Sequence, residues 1–201
     1  MAGCDRGKDY HMKTEPASER LPIARIAVKG SCPVCAAVKH FQESLLVNLH
    51  PDKGARLCNF HAWSLAKSAP AEIAASVFLT ALRSKDWSSR SPSPSACVAC
   101  KKVREEEVTR IKEVSEEFKE STFGGWLREH ARFCVRHLNA MKQLVAGASQ
   151  KAIEESAINT ASELQKELEE FLQQARRGNH AGGGVLGRAA EFLVAQRGIL
   201  D

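Results

Sequence analysis

The chain has 201 residues, of which 43% are hydrophobic, 26% charged and 6% aromatic, and its formal net charge is +5 at pH 7. This composition is ordinary for a soluble globular protein and excludes disordered chains, collagen and coiled-coil arrays. The positive excess lies entirely in residues 1–95, and it is too small to form the clustered basic stripe of a nucleic-acid binder.

Residues 1–30 are interpreted as a flexible polar leader, because they contain no apolar run like that of a secretion signal. The longest uncharged apolar stretch runs from Ile73 to Leu82, about half of the roughly 20 residues that a membrane span requires. We therefore expect a cytoplasmic protein without a membrane segment. In that reducing compartment, the seven cysteines indicate metal ligands or catalytic thiols rather than disulfides. Cys4, in the leader, is expected to be an exposed free thiol.

Residues 31–83 are predicted to form a first helical module. Ser31 can cap a helix that starts at Cys32, and the apolar residues that follow recur at the helical period until 50–54 end it. A second helix is predicted from about Cys58 and a third from Ala71 to Arg83. The Ser- and Pro-rich segment 84–95 is the clearest linker in the chain.

Residues 96–147 are predicted to form a second module that repeats this plan. A charged helix runs from Cys97 to about Glu120, and its Glu105 to Glu107 run is interpreted as a solvated face. A break at Gly124-Gly125 leads to a helix with an inward-facing stripe. That stripe consists of Leu127, His130, Cys134, His137, Met141 and Leu144.

Two helices are predicted after the second module. Residues 148–178 contain a long amphipathic helix over 149–177, with apolar residues at steps of three and four. These residues are Ile153, Ala157, Ala161, Leu164, Leu168, Leu172 and Ala175. Residues 179–201 contain a Gly-rich joint and a closing helix, Val185 to Arg197, whose apolar face is expected to dock on its own core. That face comprises Leu186, Ala189, Ala190, Phe192 and Leu193. No segment alternates like a strand, so the predicted class is all-α.

Six cysteines and two histidines form two copies of one pattern, a CxxC followed by a CxxH. Each copy supplies three sulfurs and one imidazole, which is the ligand set of a closed structural zinc site. We therefore predict two zinc ions per chain, with each copy tying its own module. The predicted ligand sets are Cys32, Cys35, Cys58 and His61, and Cys97, Cys100, Cys134 and His137.

Cysteine motifs of this kind also serve other chemistry. An iron–sulfur cluster also takes cysteine ligands, and a CxxC can act as a redox dithiol. A c-type haem site is excluded, because Ala36 and Lys101 follow the CxxC motifs where histidine is required. His130 lies one helical turn before Cys134, so it is a candidate extra ligand or a partner that orients a ligand.

The two CxxC/CxxH copies, the long Glu/Leu helix and the closing GRAAEFLVAQRG together resemble an uncharacterised bacterial family, domain of unknown function 6062. The resemblance runs from about Ser31 to Gly198. It implies an all-α fold and two metal sites at the eight ligands named above, and it implies no activity.

The function that these features favour is a zinc-stabilised interaction module, which acts as an adaptor, regulatory or accessory subunit for another protein. Closed four-ligand sites leave no coordination position for a substrate water. The sequence also lacks HExxH, GxSxG and a phosphate-binding glycine loop, so it offers no residues for an enzyme mechanism. The alternatives are an iron–sulfur or thiol-redox protein and a zinc-dependent nucleic-acid binder. The latter is disfavoured because interleaved aromatic residues for base stacking are missing.

Overall fold

The computed structural model describes residues 21–50, 56–83, 95–120, 122–178 and 184–195. Within these ranges the chain contains helices and no strand, which confirms the predicted all-α class. Cys4 and residues 84–94 of the predicted linker lie outside the described residues. The described helices are α1 (Ile23–Ile26), α2 (Pro33–Val47), α3 (Asn59–Ser68), α4 (Ala71–Arg83), α5 (Val98–Glu120), α6 (Thr122–His130), α7 (Val135–Lys142), α8 (Ala148–Arg176) and α9 (Gly184–Val194).

The segment at the start of the described chain packs onto the core, although the sequence places it in a flexible leader. Ile23 in α1 is only 2% exposed, and its backbone N–H donates to Glu113 Oε1 at 3.0 Å. The guanidinium of Arg110 donates to the Leu21 carbonyl oxygen at 2.9 Å and to Glu106 and Glu113 at 2.7 Å each. This buried network fastens the segment to α5. The interpretation of the acidic run as a solvated face is therefore wrong for Glu106, which is 2% exposed.

Gly124 and Gly125 lie inside α6, where the helix packs closely against α5. A Cβ atom on Gly124 would lie 2.3 Å from the Glu117 carbonyl oxygen, so the first turn of α6 approaches the backbone of α5 more closely than any side chain allows. Gly124 thus permits close packing of α6 on α5. The predicted break at this pair is wrong, and the non-helical residues are 131–134, which separate α6 from α7.

The described helices bury two clusters of apolar side chains. The larger cluster lies among α1, α2, the middle of α5, α6, α7 and the start of α8, and it includes an edge-to-face pair of Phe118 and Phe133 at 5.9 Å. The smaller cluster lies among the end of α2, α3, α4 and the start of α5. Metal-ligand candidates belong to both clusters, so the helices are packed around the two sites.

Helix α8 matches the predicted amphipathic helix to within one residue at each end. Its buried side chains are Ile153, Thr160 and Leu164. The predicted stripe continues toward Ala175, but Leu172 is 53% exposed. The second half of α8 therefore presents most of its surface to solvent.

Helix α9 packs against α7 and α8, as expected for docking on the chain's own core. The face that docks differs from the predicted one. Val185 and Ala195 are buried, whereas Leu186 and Leu193 are 51% and 61% exposed. The prediction is wrong for these two leucines, whereas Ala189 and Phe192 of the predicted face are half-buried on the same side of the helix as Val185. In the part of the chain that the structure describes, no helix combines the length and the apolar character needed to cross a membrane.

Candidate metal centres

All eight predicted ligands are buried, and their donor atoms form two clusters in which every atom lies within 4.8 Å of the others. We call them site 1 and site 2. Site 1 consists of Cys32, Cys35, Cys134 and His137, and site 2 consists of Cys58, His61, Cys97 and Cys100. The ligand pairs are thus nested along the chain, first with last and second with third. The predicted assignment of one site to each copy is wrong, although each site still has three sulfurs and one imidazole.

The nested pairing follows from how the segments before the helices meet. The Gly30 N–H donates to the His130 carbonyl oxygen at 2.9 Å, and the Arg132 N–H donates to the Ser31 carbonyl oxygen at 3.2 Å. These bonds place the start of α2 beside the start of α7. At site 2 the Val98 N–H donates to the Arg56 carbonyl oxygen at 3.4 Å, which places the start of α5 beside the start of α3.

Each ligand pair lies at the start of a helix. Cys32, Cys58 and Cys134 are the N-cap residues of α2, α3 and α7, and Cys97 directly precedes α5. In all four cases the carbonyl oxygen of the first cysteine accepts a hydrogen bond from the N–H four residues later, at 2.8–3.1 Å. This turn brings the fourth residue of the motif back beside the first. Two positive helix ends therefore face each site, where they stabilise negatively charged thiolates.

The distances in site 1 fit one tetrahedral ion. Cys35 Sγ lies 3.7 Å from Cys134 Sγ, and His137 Nδ1 lies 3.4, 3.3 and 3.2 Å from the sulfurs of Cys32, Cys35 and Cys134. A zinc tetrahedron with Zn–S bonds of about 2.3 Å and Zn–N bonds of about 2.0 Å separates its ligands by roughly 3.5–3.8 Å. The four donor atoms are thus near the edge lengths of such a tetrahedron.

Site 2 has the same shape. Cys58 Sγ lies 3.5 Å from Cys100 Sγ, and His61 Nδ1 lies 3.3, 3.6 and 3.3 Å from the sulfurs of Cys58, Cys97 and Cys100. In both sites the histidine presents Nδ1, so its remaining proton is assigned to Nε2. The donor set and its spacing fit a metal ion at each site.

A carboxylate that the sequence analysis missed supports the histidine of site 1. Glu107 Oε1 lies 2.8 Å from His137 Nε2 and accepts its proton in a hydrogen bond. Arg136 holds the same carboxylate through Nε at 2.9 Å and Nη2 at 3.1 Å. Glu107 is only 8% exposed, so it too departs from the predicted solvated face. Such a carboxylate fixes the imidazole ring and raises its basicity toward a metal.

The histidine of site 2, His61, has no such support. His61 Nε2 is buried and has no hydrogen-bond partner within the described structure, so site 2 lacks a counterpart of Glu107 among the described residues.

His130 belongs to neither cluster. Its ring instead lies against Trp126, in the same helix, in an edge-to-face contact at 5.4 Å. The structure therefore does not place His130 among the ligands.

The pKa values of the ligands reflect their crowding. In site 1, hydrogen bonds with Cys134 and Cys32, together with burial, raise the pKa of the Cys35 thiol far above its usual value. Burial lowers the pKa of His137, but hydrogen bonds with Cys134, Cys32 and Glu107 outweigh it and raise the pKa to about 11. In site 2, burial and hydrogen bonds with Cys58 and Cys97 raise the pKa of Cys100. These protons must leave before a metal ion can bind.

We therefore expect the affinity for metal to rise with pH from 5 to 8. The raised pKa values lie above this range, so protons compete with the metal throughout it, and the metal-bound folded state carries fewer protons than the metal-free chain. Titration with a metal indicator at pH 5, 6, 7 and 8, together with thermal melts of the loaded protein, measures this. An affinity that is unchanged between pH 5 and pH 8 would contradict thiolate ligation.

The two sites together contain all six cysteines that the structure describes. No family model, curated protein or solved structure matches the chain. The assignment of the ligands therefore rests on the geometry of the chain itself.

Proposed function

We propose that the chain is a zinc-stabilised helical interaction module, an adaptor, regulatory or accessory subunit with two structural Cys3His zinc sites. One observation carries the proposal: both ligand sets are complete and buried, with no ligand residue more than 6% exposed. Four protein ligands complete the tetrahedral shell of zinc and leave no position for a reacting water. This supports a structural role for the ions. Membership of the domain of unknown function 6062 family is part of the same proposal.

The size of each site supports a single ion over an iron–sulfur cluster. The four donor atoms of each set lie within 4.8 Å of one another, which suits one ion at their centre. A cluster contains several iron atoms and bridging sulfides, and it needs its cysteine ligands farther apart. Zinc is the common ion of closed sites with mixed sulfur and imidazole ligands.

The partner that we propose is another protein. Apolar side chains on the described surface support this, since Trp63, Leu82 and Val194 are 62–67% exposed on α3, α4 and α9. The arginines beside the ligands favour nucleic acid less, because Arg132 and Arg136 are paired with the carboxylates of Glu163 and Glu107. Paired guanidinium groups have fewer donors left for phosphate.

Elemental analysis of the freshly purified protein tests the proposal, and we expect two equivalents of zinc per chain. The preparation should be colourless, and cobalt-substituted protein should show the visible absorption of tetrahedral thiolate coordination. Iron with visible colour in anaerobically purified protein would favour the redox alternative. Fewer than two equivalents of any metal would contradict the proposal of two structural sites.

A further inference from the structure

We propose that the two sites have different tasks: site 1 holds its ion tightly, whereas site 2 exchanges a zinc-class divalent cation with the surroundings. The inference rests on the proposed function, because it requires that both sites bind metal. Three structural differences between the sites carry it, and they concern the histidine, the backbone and the surrounding core.

The first difference is the support of the histidine ring. At site 1 the N–H of His137 meets the Glu107 carboxylate, which Arg136 clamps in turn. At site 2 the N–H of His61 is buried without an acceptor among the described residues. Binding a metal through Nδ1 keeps the proton on Nε2, so site 2 retains an unsatisfied donor for as long as it is loaded. Removing an orienting carboxylate from a metal site typically costs 10–100-fold in affinity.

The second difference is the backbone that joins the two ligand pairs. Two hydrogen bonds run in opposite directions between the segments at site 1, at 2.9 and 3.2 Å. At site 2 the described segments share one backbone–backbone hydrogen bond of 3.4 Å, from the Val98 N–H to the Arg56 carbonyl oxygen. The ligand pairs of site 1 are therefore held in place before the ion arrives, and those of site 2 depend more on the ion itself.

The third difference is the packing around each site. Site 1 lies against the larger apolar cluster, whose residues come from α1, α2, α5, α6, α7 and α8. Site 2 lies against the smaller cluster, beside α3 and α4. Exposed Trp63, Leu79 and Leu82 belong to these two helices. Loss of the ion from site 2 would thus loosen one apolar face of the molecule while site 1 preserves the rest of the fold.

Release kinetics of the fully loaded protein test the inference. An excess of EDTA is added to protein that carries two equivalents of zinc, and the ions remaining on the protein are counted at intervals. We expect two phases of one equivalent each, with rate constants that differ by at least about 10-fold. Protein that starts with fewer than two equivalents contradicts the proposed function. Two ions that leave in a single phase contradict only this inference.

Substitutions at Glu107 show which release phase belongs to site 1. Glu107→Ala should accelerate the slow phase by about 10–100-fold and leave the fast phase unchanged. Glu107→Gln keeps an acceptor for the His137 N–H and should have a smaller effect. Glu105→Ala is the matched control, because Glu105 is exposed on the same helix and both phases should stay as in the wild type. Acceleration of the fast phase by Glu107→Ala would overturn the assignment.

A variant of site 2 provides an independent check if Glu107→Ala does not fold. Cys58→Ala removes one ligand of site 2, and we expect it to abolish the fast phase and to retain the slow one. Loss of the slow phase with survival of the fast phase would assign the exchangeable ion to site 1 and contradict the inference.

Discussion

Cutting the chain within residues 84–94 should yield two fragments that stay together while metal is bound and separate when it is removed. Site 1 joins Cys32 and Cys35 to ligands beyond this segment, and site 2 does the same for Cys58 and His61. Both ions therefore bridge the cut. Structural zinc contributes on the order of 10 kcal/mol of apparent binding energy, more than the roughly 8 kcal/mol that corresponds to a micromolar complex.

The measurement uses a protease recognition sequence placed in residues 84–94 of the full chain. After cleavage, gel filtration should show one complex with two equivalents of metal, and EDTA should convert it into separate fragments. A second cut, placed in residues 179–183, is the control, because both ligand sets lie before it in the chain and both ions should remain on the larger fragment. Separation of the first cleavage products into two fragments that each retain one tightly bound ion would show that each copy closes its own site.

Each cysteine variant should lose the ion of the site to which that cysteine belongs, whichever CxxC/CxxH copy contains the cysteine. Cys35→Ala and Cys134→Ala each remove a ligand from site 1, so each variant, and also the double variant, should retain one equivalent. Combining Cys35→Ala with Cys58→Ala should leave none. The loss of the site 1 ion should cost a large part of the 5–15 kcal/mol that folded domains typically possess, and the loss of the site 2 ion should cost less.

Metal analysis after desalting into chelator-free buffer, with circular dichroism of the same samples, measures this pattern. The second substitution within site 1 should add little to the loss of stability, since residues that share one ion do not contribute additively. Cys4→Ala serves as the control, because Cys4 is outside both CxxC/CxxH copies. A Cys35→Ala/Cys134→Ala variant that lacks both ions while remaining helical would refute the nested assignment.

The eight residues that form the two clusters could be predicted from the sequence, but the pairing of the motifs could not. A CxxC or CxxH at the start of a helix has the same local structure whichever pair it faces, so spacing is equally compatible with pairing inside a copy and between copies. Which motifs share a site depends on contacts between residues that are distant in sequence. The decisive ones are the hydrogen bonds between Gly30 and His130 and between Arg132 and Ser31.

The role of Glu107 was hidden by its neighbours, because a run of three glutamates between lysines and arginines is typical of an exposed helix. A signal was nevertheless present. Val103 and Val114, which belong to the apolar stripe of α5, lie four residues before and seven residues after Glu107, and that register places Glu107 on the same face. Charged residues at inward positions indicate a buried pair or a metal-site carboxylate.

The break at 131–134 had no sequence signal of this kind. These residues include neither proline nor glycine, so the helical period of the surrounding apolar residues suggests a continuous helix. Cys134 nevertheless adopts an extended conformation, with φ −68° and ψ 156°, as the N-cap of α7. The site requires that geometry, because it returns His137 toward the sulfurs, and tertiary structure overrides the local preference.

The nesting of the ligand pairs also sets an order in which the chain can close its loops. The cysteines of site 2 that contact each other are 42 residues apart, whereas those of site 1 are 99 residues apart. Once site 2 has formed, its ion links Cys58 to Cys100, which shortens the loop that site 1 must close. Closing this shorter loop costs about 0.5 kcal/mol less in chain entropy than closing the full loop of 99 residues. Assembly from the inside outward is therefore the less costly route. The ion that the folded protein holds more loosely is the one whose arrival prepares the place of the other.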